Sequence, residues 1–292
     1  MAAAVRDVAA AAAATDGVDP LNEAGLLALA GPVPGRLHVL ACDPAGSPGS
    51  LVGYAGIDTG TSPAAAEVVV APAARRVGTG AALLRAVRAD PRAAGVGFWA
   101  HGDLPPARAV ARALGMSAIR RLSRMRRPAG MPLPAAPLPA GVRIAAFRPG
   151  TDEDAWLRVN AASFAGHPEQ GRWTREDLAA RTTADWFDAA GLLLAWRDDP
   201  GGAGTGDGPR LIGSHWTKLT DDPGRVGEVY VLGVDPAVQA GGLGTALAVA
   251  GLRSLADRGA RDVQLYVEAD SRAVGLYRRL GFVDDALDVV YV

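Results

Sequence analysis

The feature that most constrains this 292-residue chain is a strand, turn and helix pattern that occurs twice at one fixed distance. Val68, Val69 and Val70 lead into Pro72, then Arg75, Arg76, Val77, Gly78, Thr79 and Gly80, then a helical run with Leu83, Leu84 and Val87 on one side. Leu232, Gly233 and Val234 lead in the same way into Pro236, then Gln239, Ala240, Gly241, Gly242, Leu243, Gly244 and Thr245, then a helix with Leu247, Leu252 and Leu255. The separations 236 − 72, 239 − 75, 242 − 78 and 244 − 80 all equal 164. Two accidental glycine turns would not keep a common register, so the chain reads as an internal duplication. In each copy a proline stops a β-branched strand, glycines open a turn, and the unpaired N–H groups of a helix start face whatever the turn holds. Those donors, with a partial positive charge of about half a unit, make an anion site. It is neither a dinucleotide fingerprint, since Leu247 fills the third glycine position, nor a nucleoside-triphosphate loop, since no lysine is near.

Elements around each turn alternate. The first half reads as helices over 5–14 and 21–30, strands at 37–42, 51–57 and 67–70, the glycine turn and a helix to 88, a strand at 97–100 and a helix over 107–114. No opening strand is visible ahead of its first helix. The second half reads as a strand at 142–147, helices over 152–164 and 174–181, strands at 192–196, 211–219 and 228–234, a helix over 245–258, a strand at 263–267, a helix over 272–280 and a last strand from 282. This order predicts an α/β architecture around a mixed sheet. The prolines between 128 and 139 lack N–H groups and fix φ, so that stretch is expected to be a stiff connector. The expected domains are therefore 1–127 and 141–292, with a linker over 128–140.

Composition excludes several classes of function. A net charge of −1 gives no basic surface for nucleic acid or anionic lipid. Cys42, the single cysteine, cannot form an internal disulfide, and four scattered histidines have no metal spacing. No apolar run reaches the roughly eighteen residues a membrane span needs. A cytoplasmic monomer acting on a small molecule is expected, with no metal, nucleic acid or membrane partner.

The Gln-x-x-Gly-x-Gly turn after a strand, the element order of the second half, and the closing run Leu276, Tyr277, Arg278, Arg279, Leu280, Gly281, Phe282 resemble the GCN5-related N-acetyltransferase family. The resemblance implies two tandem N-acetyltransferase domains and acetyl-CoA as acetyl donor. The halves differ in their ionisable groups. At the constant offset Glu228 corresponds to Ala64, and with a shift of one or two residues Tyr277 corresponds to Ala111. An α-amine, with a pKa of roughly 7.7 to 8, is mostly protonated at neutral pH and needs a base. A departing thiolate, with a pKa near 8.5, can take a proton from a phenol near 10. Glu228 is the candidate base and Tyr277 the candidate acid, with backbone N–H groups of Leu232, Gly233 and Val234 expected to face the oxyanion. The first half is expected to be non-catalytic.

Further runs narrow the resemblance. They are the stretch from Phe164 through Gly166, His167, Gly171 and Trp173, the run His215, Trp216, Thr217, Lys218, and the run Leu265, Tyr266, Val267, Glu268. With Phe98, Trp99, Ala100, His101, Gly102 and Met125, Arg126, Arg127, Pro128, these closely resemble the mycothiol-forming branch of that family. It implies acetylation of the cysteinyl amine of a cysteine–glucosamine–inositol conjugate, contacted by Glu23, Glu169, Lys218, Glu228 and Tyr266. It also implies one reactive acetyl-CoA at Leu232, Gly233, Val234 and residues 239–245, and a second, unreactive one at residues 68–70 and 75–80. The segment before Tyr277 is one residue short and lacks the family's asparagine, which leaves the coenzyme contacts of residues 270–276 undefined. The residues leave open another amine as acceptor, an aminoglycoside or a protein N-terminus, and a non-catalytic acyl-CoA sensor.

Overall fold

The computed structural model describes residues 1–43, 50–167, 170–198, 208–220, 225–238 and 241–292. The chain forms two compact units: Met1–Ser123 together with Ala286–Val292, and Arg124–Asp285.

The first unit begins with α1 (Ala2–Asp16), whose alanines carry the best helix propensity, stopped by Gly17 in the left-handed region at φ 71°. After α2 (Glu23–Leu27) come β1 (Arg36–Cys42), β2 (Leu51–Asp58) and β3 (Ala65–Val70), then α3 (Thr79–Ala89), β4 (Gly97–Ala100) and α4 (Pro105–Ala113). Strands β1, β2 and β3 are antiparallel neighbours and β3 runs parallel to β4. The other side of β4 is taken by the last strand of the chain, β11 (Val283–Tyr291), antiparallel through Val289, Val290 and Tyr291. Helix α3 covers one face, burying Leu83, Leu84 and Val87 against Ala55, Ile57 and Phe98. Helix α1 covers the other, with Val5, Val8 and Ala12 against Tyr54 and Val69.

The second unit repeats the plan: β6 (Val142–Ala146), α5 (Glu153–Ser163), α6 (Arg175–Thr182), β7 (Leu192–Arg197), β8 (Arg210–Leu219), β9 (Val226–Val234), α7 (Leu243–Asp257), β10 (Asp262–Glu268) and α8 (Ala273–Arg279). Strands β6 to β9 are antiparallel in sequence order and β9 runs parallel to β10. A capping box, Thr174 with Asp177, starts α6. Helix α7 buries Leu247, Leu252 and Leu255 on one face of the sheet, while Trp156, Leu178 and Trp216 fill the core on the other.

The structure amends the expected elements in four places. A strand absent from the sequence reading, β5 (Ala118–Pro128), runs across the boundary between units at Ser123. Its inward positions are Ser123, Met125 and Arg127, so arginines hide the usual apolar alternation. The second helix is only five residues long, opened by Asn22, whose side chain accepts from Gly25 N. The proline-rich stretch is irregular as expected, but it packs: Ala129 is buried in the core of the second unit, with Leu133 and Ala136 against it. Finally, the compact units change over at Ser123/Arg124 and again at Asp285/Ala286, so the closing seven residues belong to the first.

Candidate active site

In the second unit β9 keeps β8 beside it along nearly its whole length, from Gly227 to Val234. On its other side β10 pairs only from Val226 to Val229. The parallel strands thus part after Val229, and that side of residues 230–234 carries no β10 ladder. The register with β8 also breaks here: Trp216 faces Val231 and Thr217 faces Val229, so Tyr230 is the extra residue of a β-bulge.

Glu228 lies just before the opening. It faces Lys218 across β8 and Gln264 across β10, and residues directly opposite share a face. The Gln264 amide donates to Glu228 Oε2 at 3.3 Å. The Lys218 ammonium sits over two rings, 4.3 Å from the centroid of Trp186 and 5.6 Å from that of Tyr230. Tyr266, two residues beyond Gln264 and hence on the same face of β10, is 41% exposed. A carboxylate, an ammonium, an amide and a phenol thus share one face of three strands.

Tyr277 approaches from the other face. It is 8% exposed in the cluster with Val229, Leu252 and Leu265, its ring edge-on to Phe282 at 5.7 Å. Burial pushes its phenol up to about 12, so it holds its proton at neutral pH. It is a core residue with a protonated phenol.

The glycine turn has the shape an incoming pyrophosphate needs. Gly241 and Gly242 have φ of 86° and 78°, and Gly242 caps α7, where among the described residues no side chain caps the first-turn amides. A Cβ on Gly242 would meet nothing within 4 Å, so the space in front is open; one on Gly244 would lie 3.9 Å from Val234 Cγ2, which fixes the helix start against the strand. The first unit matches: Gly78 caps α3 at φ 95°, a Cβ on it would meet nothing within 4 Å, and one on Gly80 would lie 3.7 Å from Val70 Cγ2. Its β3 and β4 also part, after Glu67. Both turns fit a pyrophosphate, and both openings an extended arm. Ser271 meanwhile bonds the start of α8, its Oγ accepting from Ala273 N at 3.2 Å.

The first unit departs from the second in what surrounds that opening. Arg75, expected at the cofactor, instead makes a two-pronged ion pair with Asp16 at 2.7 and 2.8 Å and donates to the Val70 carbonyl. Arg76 has φ 67° and Val77 is exposed at the tip of the turn. Anchoring Val70 on Val234, the ladders place Ala65 rather than Ala64 at the position of Glu228, because β3 has no counterpart of the Tyr230 bulge. Lys218 is replaced there by Asp58, which Arg36 engages at 3.0 Å. The match of Tyr277 with Ala111 holds: Phe282 N donates to the Tyr277 carbonyl as Met116 N does to that of Ala111. At the first opening Glu67, 5% exposed, accepts from His101 Nε2 and from Asn22 N, both at 2.8 Å. Glu23 opens α2 in this unit. Glu169, Gln239 and Ala240 lie outside the described residues.

Tyr230, Gln264 and Arg181 escaped the sequence reading. Gln264 becomes visible only once the parallel register is known, and Tyr230 only once the bulge is. His215, by contrast, is structural: fully buried, its Nδ1–H donating to the Leu247 carbonyl at 2.8 Å, it is pushed down to about 4 by burial. A Cβ at Gly251 would fall 2.1 Å from that nitrogen, so the glycine makes room for it.

Residues 161–282 match the family model described as the Acetyltransferase (GNAT) family. Among solved structures, a tandem GNAT protein from the clavulanic acid biosynthesis pathway superposes with a TM-score of 0.70 at 21% identity, over 99% of this chain and 93% of that one. A GCN5-related N-acetyltransferase from Sphaerobacter thermophilus gives 0.69 at 24% identity, over 100% and 92%. At those identities the likeness is one of fold. The curated relatives carry more. The mycothiol acetyltransferase of Salinispora arenicola is 51% identical over 98% of this chain and 91% of its own length. That of Thermomonospora curvata is 50% identical over 97% and 91%. With half of its residues shared along nearly the full length of both sequences, and two acetyltransferase folds in tandem, the chain belongs to the mycothiol acetyltransferase family.

Proposed function

We propose that the second unit catalyses the last step of mycothiol formation, moving an acetyl group from acetyl-CoA to the cysteinyl amine of a cysteine–glucosamine–inositol conjugate. The observation that carries this reading is the place of Glu228, at the end of the β9–β10 ladder with Lys218 and Gln264 beside it. Acetyl-CoA supplies the acetyl group as a thioester, and its pantetheine arm suits the unladdered side of residues 230–234, as a peptide strand would. The first-turn amides of α7 behind Gly241 and Gly242 hold the pyrophosphate.

Glu228 takes the proton of the attacking amine, directly or through a water, while the Gln264 amide orients it. Tyr277, protonated at neutral pH, gives its proton to the leaving sulfur from the opposite face. Backbone N–H groups of Leu232 and Val234 point away from β8 and face the developing negative charge, whereas that of Gly233, expected to join them, points to β8 because successive strand amides alternate. Lys218, Tyr266 and Glu169 meet the sugar and inositol hydroxyls, a polar acceptor that calls for charged and hydrogen-bonding partners. The turn at residues 75–80 holds a second acetyl-CoA that does not react, since its unit offers Ala65 and Ala111 where the second has Glu228 and Tyr277.

Incubation of the protein with acetyl-CoA and the cysteinyl conjugate should give a product one acetyl group heavier by mass spectrometry. No such product, with acetyl-CoA binding intact, would remove this reading.

A further inference from the structure

Arg181 is a buried cation that the chemistry above does not use. It is 8% exposed, and among the described residues its polar partners are neutral. Its Nε donates to the Tyr230 hydroxyl at 2.8 Å and its Nη1 to the Asp177 carbonyl at 2.9 Å. The guanidinium lies 3.9 Å above the centroid of Trp173. A buried charge satisfied by neutral groups and a ring face is costly, and an apolar side chain would suit this aromatic shell better. Stability alone therefore gives no reason for an arginine here.

The contacts supply one. Tyr230 is the bulge residue, two positions from Glu228, and its free swing is limited by whatever holds its hydroxyl. Its ring lies 5.2 Å from that of Trp186, and these two rings are the ones beneath the Lys218 ammonium. Lys218 in turn stands opposite Glu228. A continuous chain thus runs from the guanidinium through a hydroxyl and a ring to the ammonium beside the carboxylate.

We infer that Arg181 is a positioning residue for the acceptor amine: by fixing the hydroxyl end of Tyr230 it sets the aromatic bed of Lys218, and so the group that meets the substrate. The inference rests on the acceptor reading given above for Lys218 and Glu228. It does not touch the pyrophosphate turn, which lies at the far end of β9, so its effect falls on one substrate and not the other.

The test is a double-mutant cycle of Arg181→Met and Tyr230→Phe, in which each change removes the same hydrogen bond. Each should raise KM for the cysteinyl conjugate by about tenfold, the effect of one charge-assisted bond, and leave KM for acetyl-CoA within about twofold. The double variant should be no worse than Arg181→Met alone. A second reading needs no turnover. Lys218 is the only lysine, so reductive methylation with a carbon-13 label marks it and the α-amine alone. Its resonance, shifted by the Trp186 ring, should move toward the free-lysine position in both variants. Additive losses, or an unchanged amine KM and lysine resonance in Tyr230→Phe, would overturn the inference, and that variant keeps the ring should Arg181→Met fail to fold. If the wild-type protein does not acetylate the conjugate at all, the functional reading fails by itself, and the lysine resonance still decides whether Arg181 places the ammonium.

Discussion

Lys218 and Glu228 stand directly opposite each other in the β8–β9 ladder, just before the bulge at Tyr230 and at the last stretch where β10 still flanks β9. The pairing gives a carboxylate on a rigid strand, with an ammonium on one side and the Gln264 amide on the other. Glu228→Gln keeps the shape and a hydrogen-bonding group but removes the proton acceptor. It should lower kcat by about 10² to 10³, within the range of a positioned base, with acetyl-CoA affinity within about twofold. Steady-state kinetics together with calorimetric binding check both halves. Unchanged turnover would transfer the base role elsewhere.

Tyr277 can be divided experimentally into ring and hydroxyl. Its ring packs edge-on to Phe282 in the core, which Tyr277→Phe preserves. That variant should unfold within about 1 kcal/mol of wild type yet lose about 10²-fold or more in kcat, the low end of general-acid contributions. Tyr277→Ala empties a core site and should cost about 3–5 kcal/mol, as large aromatic truncations do. A Phe variant with full turnover would leave the packing role alone.

The two glycine turns allow the units to be silenced separately. Gly78 and Gly242 both hold φ in the left-handed region with open space ahead, so glutamate at either adds strain of about 1–2 kcal/mol and puts a negative charge where phosphate must come. Gly78→Glu should remove a bound acetyl-CoA from the first unit and leave catalysis measurable, whereas Gly242→Glu should abolish turnover. Counting bound acetyl-CoA by equilibrium dialysis and assaying both variants gives the comparison. Full loss of activity in folded Gly78→Glu would contradict the division of roles.

Much of this was legible in the sequence, for reasons that differ by element. The 164-residue register exposed both turns because glycine at positive φ is a backbone requirement that a sequence displays directly. The strands at β3 and β9 were legible from their valines. Strand β5 was not, because its inward side chains include a buried arginine, Arg127, and a serine. The counterpart of Glu228 was off by one residue, since a bulge leaves no mark in a strand's composition. Arg75 illustrates the converse: its place in the turn was legible, its capture by Asp16, 59 residues away, was not.

His101 gives a prediction that turns on sign. It lies between two carboxylates of the first unit: Nε2 is 2.8 Å from Glu67, and Nδ1 is 3.2 Å from Asp288 on the last strand, whose other oxygen accepts from Gly102 N. Burial by itself would push the imidazole down. The hydrogen bonds to Asp288 and Glu67, with their charges, outweigh it and hold the imidazole up at about 10. Because the folded value lies above the ordinary one of roughly 6.5, the stabilisation is complete below about pH 6.5 and fades as pH climbs through about 10. Urea midpoints at pH 6, 8 and 10 should therefore fall more steeply for wild type than for His101→Gln, which has no proton to lose there. The loss should register in β11, since Asp288 is what the imidazolium holds on that strand. Faster amide exchange at Val289 and Val290 at pH 9 than at pH 6, after correction for the intrinsic rate, is the expected result in wild type. Equal slopes for the two proteins would show that this triad does not hold the closing strand through its charge.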